Sequence, residues 1–118
     1  MGYMRHHAIV VTSWSEERLK AAHRRAEELL PGLVSMILKG WVNSYSSFFV
    51  APDGSKEGWD DSDKGDVARQ KFREYLAETF MEDGGSYLDW AEVQYGDDDR
   101  KTEITDSSDD RCSASRTT

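Results

Sequence analysis

The sequence predicts an α+β fold, in which a four-stranded antiparallel sheet carries two helices on one face. Four segments are β-branched or alternate between apolar and polar residues, which is typical of strands. Two other segments have apolar residues every three or four positions, which is typical of amphipathic helices. The order is strand, helix, strand, strand, helix, strand, which is the split βαβ plan of a ferredoxin-like βαββαβ sandwich. We place this domain at residues 1–98, with the first and third strands in the middle and the second sheet face open.

The first strand and the first helix follow one another directly. Residues 5–12, RHHAIVVT, are a continuous β-branched run, which predicts a central strand that is buried on both faces. Ser13 followed three residues later by Glu16 is a capping-box signature for a helix start. The apolar spacing then predicts a helix from about 15 to 30, which a Pro-Gly pair ends.

The second and third strands are predicted to form an antiparallel hairpin. They span residues 33–38, LVSMIL, and residues 45–51, YSSFFVA, and the loop between them contains glycine and asparagine. Phe48 and Phe49 are neighbours on a strand, so one must face the helices and the other must face the open side. This exposed aromatic residue is the main indication that the open face is used.

The last helix, the last strand and a tail complete the chain. Apolar spacing predicts a helix from residue 62 or 63 to about 81, and alternation over residues 87–95 predicts a strand with a bulge at Ala91. Residues 99–118 contain a single large aliphatic residue and no aromatic one. Such a segment buries too little apolar area to order itself, so we predict a disordered polar tail.

Composition excludes several classes of function. The chain has 118 residues, 32% of them charged, and a net charge of −8. This acidity opposes binding to duplex nucleic acid and to anionic membranes, which both require clustered Lys and Arg. The sequence has one cysteine and no run of about 20 apolar residues, so we expect no internal disulfide, no membrane span and a cytoplasmic location. We also expect no metal site and no cofactor.

The stretch 52–66, PDGSKEGWDDSDKGD, predicts an irregular loop of unusual length. Trp59 either folds back as a lid on the small core or contacts a partner, and Lys56 beside it is expected to be solvated. The run that begins at Asp60 resembles part of a calcium loop, but Lys64 occupies a ligand position and a second lysine stands where glutamate is needed. The aspartates instead suit a helix N-terminus.

No catalytic constellation is visible in the sequence, which lacks a nucleophile elbow and a phosphate-binding loop. His6 and His7 are adjacent on a strand and therefore point to opposite faces, so they cannot ligate one metal together. We predict no catalytic residue. The candidate binding residues are those of the open face and of the loop, together with the two histidines: His6, His7, Tyr45, Phe48, Phe49, Lys56, Trp59 and Asp60.

Three stretches resemble a small family of bacteriophage and prophage proteins of uncharacterised function. They are HHAIVVTSW at 6–14, FFVAPDGSKEGWDDSDKGD at 48–66 and LDWAEVQYGDD at 88–98, so the resemblance covers most of residues 5–98. It implies an accessory phage protein that acts in the bacterial cytoplasm. It carries over no catalytic residue.

Three functions follow as hypotheses. The first is a small acidic non-enzymatic binding protein that dimerises through the open sheet face and binds a basic host protein or sequesters a ligand. The second is a nucleotide-binding protein or small enzyme with a site between loop 52–66 and the open face. The third is a structural component of a virion, which would form a defined higher oligomer.

Overall fold

A computed structural model describes residues 5–54, 60–78, 88–96 and 101–108. They form two helices and five strands. In chain order these are β1 (His6–Ser13), α1 (Glu16–Leu29), β2 (Leu38–Lys39), β3 (Ser46–Val50), α2 (Asp60–Ala77), β4 (Asp89–Tyr95) and β5 (Glu103–Ser107).

All five strands belong to one antiparallel sheet with the order β2-β3-β1-β4-β5. The longest strand, β1, lies in the middle and pairs with β3 on one side and with β4 on the other. The predicted α+β class, with an antiparallel sheet and two helices, is confirmed. The sheet has five strands, however, where four were predicted.

One hydrophobic core lies between the two helices and one face of the sheet. Alternate residues of β1, Ile9 and Val11, enter this core, and Phe48 of β3 meets Phe72 of α2 with ring centroids 6.4 Å apart. The buried core residues are Ile9, Val11, Leu19, Ala22, Ala26, Leu30, Phe48, Val50, Phe72, Leu76, Leu88 and Trp90. Their apolar side chains alternate along the strands and recur every three or four residues along α1, as amphipathic packing requires.

The prediction that β1 is buried on both faces is wrong. Val10 lies between the buried Ile9 and Val11, yet its own exposed fraction is 46%. The helices cover only one face of the sheet, so Val10 on the other face remains open to solvent, although Ala8 on that face is buried. A β-branched run therefore indicated a strand correctly but did not indicate how many layers cover it.

The helix α1 starts within one residue of the prediction, but its N-cap lies two residues later than predicted. Ser15, and not Ser13, is the N-cap, because its hydroxyl accepts a hydrogen bond from the Arg18 amide. Ser13 is buried and its hydroxyl accepts from the Ser15 amide at 3.0 Å. Both serines carry the hydrogen-bonding groups that a cap needs, and the longer extent of β1 decides between them.

The second strand is shorter than predicted because its pairing with β3 is interrupted. Val34 forms an isolated bridge with Val50, and regular pairing resumes only at Leu38 and Lys39. Between them the Ser35 hydroxyl accepts a hydrogen bond from the Phe49 amide at 2.9 Å. A serine side chain here takes the place of a backbone carbonyl, and the segment after it leaves the ladder.

The predicted disordered tail is wrong for residues 101–108, because β5 pairs with β4. Arg5 donates hydrogen bonds to the carbonyls of Gly96 and Lys101, and the buried Ser108 hydroxyl accepts from the Trp90 amide. Order here comes from backbone pairing and polar contacts, whereas the prediction counted only apolar burial. Residues 109–118, including the lone cysteine, lie outside the described residues.

The second helix begins at Asp60, earlier than predicted, and ends at Ala77. The helix therefore includes residues 60–66, which were predicted to belong to the loop 52–66. Because the aspartate-rich run is helical, it does not have the conformation of a calcium loop. Its first residue, Asp60, is exposed at the helix N-terminus, where the dipole favours a carboxylate.

Candidate functional site

The sheet face opposite the helices is a candidate interaction surface, and we call it the open face. Direct cross-strand partners share a face, so the register assigns residues to it. From β2 to β5 these residues are Leu38; Ser47 and Phe49; His6, Ala8, Val10 and Thr12; Asp89, Ala91, Val93 and Tyr95; Ile104 and Ser107.

Large apolar side chains on the open face remain in contact with solvent. Val10, Leu38, Phe49 and Ile104 are all exposed, and each comes from a different strand. Val10 pairs directly with Phe49, so these two side chains lie side by side at the centre of the sheet. Exposed apolar residues that are grouped in this way on a soluble domain mark an interaction surface more often than single scattered ones do.

The open face carries little charge although the whole chain is densely charged. Asp89 is the only Asp, Glu, Lys or Arg among the strand residues that the register places there. Along the chain, Lys39 is the only charged residue between Ser35 and Pro52. A net charge of −8 is therefore carried almost entirely by other surfaces.

The loop between β2 and β3 extends this uncharged segment and exposes its largest apolar residue. Trp41 has an exposed fraction of 100%, and Val42 beside it is also exposed. We call these two residues the hairpin tip. The loop backbone there is closely fitted, because the Gly40 amide donates to the Tyr45 carbonyl at 2.6 Å.

The opposite face of the sheet contains a buried network of ion pairs. Glu92 of β4 is 1% exposed and accepts hydrogen bonds from Arg73 at 2.5 Å and from the Thr105 hydroxyl at 2.6 Å. Asp106 of β5 lies 3.9 Å from the Arg73 guanidinium. These contacts connect α2 to β4 and β5 across the helix-covered face.

A second arginine of α2, Arg69, extends the network and is 2% exposed. It pairs with Asp53 at 3.1 Å and with Asp66 at 2.5 Å. A cavity of about 210 Å³ lies beside both arginines and is also lined by His7 and Glu92. Because carboxylates already pair with both guanidinium groups, the cavity offers no unbalanced positive charge to an anionic ligand. The network fastens α2 to the sheet.

In both pairs of adjacent residues that the sequence proposed for binding, the two side chains lie on opposite faces of the sheet. Phe48 is the one of the pair that faces the helices, as a core residue at 2% exposure, whereas Phe49 lies on the open face at 39% exposure. His6 also lies on the open face, with its ring centroid 5.3 Å from that of Tyr95. His7 lies on the helix-covered face beside the polar cavity. The prediction that the two histidines point to opposite faces is confirmed.

The remaining proposed residues are not brought together. Tyr45 is partly exposed just before β3, and Asp60 is exposed at the start of α2. Lys56 and Trp59 lie outside the described residues, so the choice between lid and partner contact for Trp59 stays a prediction. The described start of the loop turns toward the helices, because Asp53 pairs with Arg69. Among the described residues, no site forms between this loop and the open face.

Sequence reasoning missed three open-face residues, namely Val10, Leu38 and Ile104. Val10 was assigned to a doubly buried strand, Leu38 to the end of a longer strand, and Ile104 to the tail. For Leu38 the available signal was the scarcity of charge between residues 35 and 52, where Lys39 is the only charged residue in a chain that is 32% charged.

Two further findings limit the classes of site. Among the described residues, no group of three or more His, Cys, Asp and Glu is arranged to hold a metal ion. Neither described helix is long and apolar enough to cross a membrane. Comparison of the chain with protein-family models, with curated proteins and with solved structures found no match.

Proposed function

We propose that the protein is a small non-enzymatic binding protein that forms a homodimer by packing two open faces together. The observation that carries the proposal is the group of exposed apolar residues Val10, Leu38, Phe49 and Ile104 on a face where Asp89 is the only Asp, Glu, Lys or Arg among the described strand residues. Two sheets that pack face to face bury such side chains in a layer about 10 Å thick. The open face would then become a second core.

Charge favours a second copy as the occupant of this face. Two copies that each carry a charge of −8 repel one another, so they can approach closely only through a surface that has few carboxylates. The open face has that property. A basic partner would gain nothing from an uncharged face, because electrostatic complementarity would direct it to the acidic surfaces.

Such a dimer would leave the helices free to meet a different partner. Exposed carboxylates at Asp60 and Asp63 lie along the first turn of α2, on the side opposite the open face. This surface suits a basic protein. The resemblance to phage proteins supports a host protein in the bacterial cytoplasm as that partner.

We also propose a ferredoxin-like plan for the first four strands and the two helices. The supporting observation is the order β2-β3-β1-β4, in which β1 and β3 are neighbours inside the sheet. On this description β5 is an addition at the β4 edge, and the short β2 forms the other edge.

The dimer is tested by sedimentation equilibrium on two matched substitutions. Val10→Asp places a carboxylate at the centre of the open face, and Val67→Asp places one on α2, where the valine has a similar exposure of 52% compared with 46%. Each added carboxylate is exposed in the single subunit, so both variants should fold. Val10→Asp should weaken association at least a hundredfold, because two charges would be buried without partners.

Val67→Asp should leave the dissociation constant within a factor of two of the wild-type value. Equal weakening in both variants would show that added negative charge acts generally and that the open face is not the interface. A wild-type chain that is monomeric throughout the measured range would reject the homodimer. A larger oligomer would favour the assembly role over a simple dimer.

A further inference from the structure

A second cavity lies away from the open face, where β1 ends, α1 begins and the β2–β3 hairpin turns. Its volume is about 400 Å³, which falls within the range of small-molecule sites. Its lining includes Trp14, Glu16, Lys39, Gly40, Ser44 and Tyr45. We call it the aromatic pocket.

Two aromatic rings in the pocket are accessible to a ligand. Trp14 follows β1 directly and Tyr45 precedes β3, and both are exposed by more than a third. Large rings that stay in contact with water at a concave surface offer flat apolar faces on which a planar ligand can stack. Proteins that bind single-stranded nucleic acid use such stacking because every base has a flat π-face.

The charges around the pocket favour an anionic group despite the overall acidity. Glu16 is held by Lys20 at 3.0 Å, and this pairing, with a smaller contribution from Lys39, lowers the pKa of the Glu16 carboxyl. Glu16 is thus ionised, and Lys20 offsets its charge. Lys39 is then the surplus positive charge at the pocket, and it is exposed.

The β2–β3 hairpin forms one wall of the aromatic pocket, and its backbone has a conformation that few residue types adopt. A Cβ atom at residue 40 would lie 2.7 Å from the Tyr45 carbonyl oxygen, so only glycine fits there. Asn43 and Ser44 both have left-handed backbones, with φ angles of 62° and 60°. This conformation is unfavourable for a non-glycine residue, more so for serine than for asparagine, and such conformations are enriched at ligand sites.

We propose that the aromatic pocket binds a small planar ring that carries one anionic group, with the ring against Trp14 and Tyr45 and the anion at Lys39. Nucleoside monophosphates and aromatic carboxylates share this chemistry. The proposal is independent of the homodimer, because the pocket residues other than Lys39 lie outside β2 and outside the open face.

The test is isothermal titration of the full chain at low salt with four compounds. Adenosine monophosphate has both ring and anion, adenosine has only the ring, inorganic phosphate has only the anion, and benzoate is a carboxylate on a smaller ring. The monophosphate or benzoate should bind at least tenfold more tightly than adenosine and phosphate. Whichever of these two compounds binds more tightly identifies the ligand class, either a nucleoside monophosphate or an aromatic carboxylate.

Matched substitutions localise the site. Lys39→Gln and Trp14→Leu should each weaken binding at least tenfold. Lys64→Gln, on α2, and Trp41→Leu, at the hairpin tip, should change it less than twofold. If a thermal melt shows that Trp14→Leu is poorly folded, the binding result for Lys39→Gln alone tests the proposal. The proposal is overturned if neither the monophosphate nor benzoate binds at millimolar concentration, or if the control variants lose binding equally.

Discussion

The two faces of the sheet differ in how completely their side chains are buried, and the adjacent residues Phe48 and Phe49 show this difference. Phe48 and Phe49 have the same side chain and share one short strand, yet one is 2% exposed and the other 39%. Phe48 packs against Phe72 of α2 and against His23 of α1, whose ring centroid lies 5.1 Å away. Phe49 faces the side that the helices do not cover.

Polar groups differ between the faces as well. On the helix-covered face, buried charges such as Glu92 and Arg69 occur only with partners, as the desolvation of an ion requires. On the open face, polar contacts are neutral, as between the hydroxyls of Thr12 and Ser47 at 2.8 Å. The comparison teaches that one face is a packed core with its charges paired, while the other leaves large apolar side chains in contact with solvent.

The largest expected effect separates the two phenylalanines. Phe48→Ala should lower the free energy of unfolding by about 3–5 kcal/mol, because it leaves a cavity among packed residues. Phe49→Ala should lower it by less than about 1 kcal/mol, because its side chain is already partly in water. Urea unfolding of both variants in the Val10→Asp background measures this without a contribution from association.

Equal losses in these two variants would contradict the comparison, since they would mean that both sides of the sheet are packed within one subunit. A larger loss for Phe49→Ala would reverse the assignment of the faces.

The next largest effect concerns the ion pair that joins α2 to β4. Arg73→Met should lower the free energy of unfolding by about 2–4 kcal/mol, because Glu92 would stay buried without its cation. Arg73→Met combined with Glu92→Leu should recover part of that loss, since two apolar groups need no partner. Urea unfolding of the two single variants and the double variant gives the coupling free energy. If the losses in the free energy of unfolding of the two single variants simply add in the double variant, Arg73 and Glu92 do not act as a unit.

A smaller effect is expected at Arg5, which donates hydrogen bonds to backbone carbonyls after β4 and before β5. Arg5→Met should cost about 2 kcal/mol, because the carbonyls of Gly96 and Lys101 lose charge-assisted hydrogen bonds. Amide hydrogen exchange should accelerate in β5 more than in β3. Unchanged exchange in β5 would mean that pairing with β4 holds this strand without Arg5.

The smallest effect is a pH dependence at the start of α1. The pKa of Glu16 is lowered by Lys20 first and then by Lys39, so its ionised form is favoured in the folded state. This stabilisation is present above the unfolded pKa, near 4.5, and is lost as pH falls through the lower folded pKa. Glu16→Gln should therefore narrow slightly the difference in melting temperature between pH 7 and pH 3. If Glu16→Gln instead widened this difference in melting temperature, the prediction would be contradicted, because ionised Glu16 would then destabilise the folded state.

Local patterns predicted the parts of the fold that local chemistry determines. The opposite facing of Phe48 and Phe49 follows from strand alternation alone, and α1 follows from the spacing of Leu19, Ala22 and Ala26. The open face was expected for the same reason, because two helices in this chain order can cover one face only.

The remaining features depend on contacts between residues far apart in sequence. Arg5 reaches the carbonyl of Lys101, and Arg73 reaches Glu92, and neither spacing leaves a periodic trace. Strand β5 has mostly exposed side chains, so an argument from apolar burial could not find it. The aromatic pocket combines Trp14 with Tyr45 only after the hairpin has folded beside α1.

The most direct test of the central claim is the molar mass of the wild-type full chain by light scattering after size-exclusion chromatography, at low and at high salt. The account predicts twice the subunit mass of 13.5 kDa at both salt concentrations, because the proposed interface contains almost no charge for salt to screen. A mass of one subunit at both salt concentrations would contradict the account, because the open face would then remain in water.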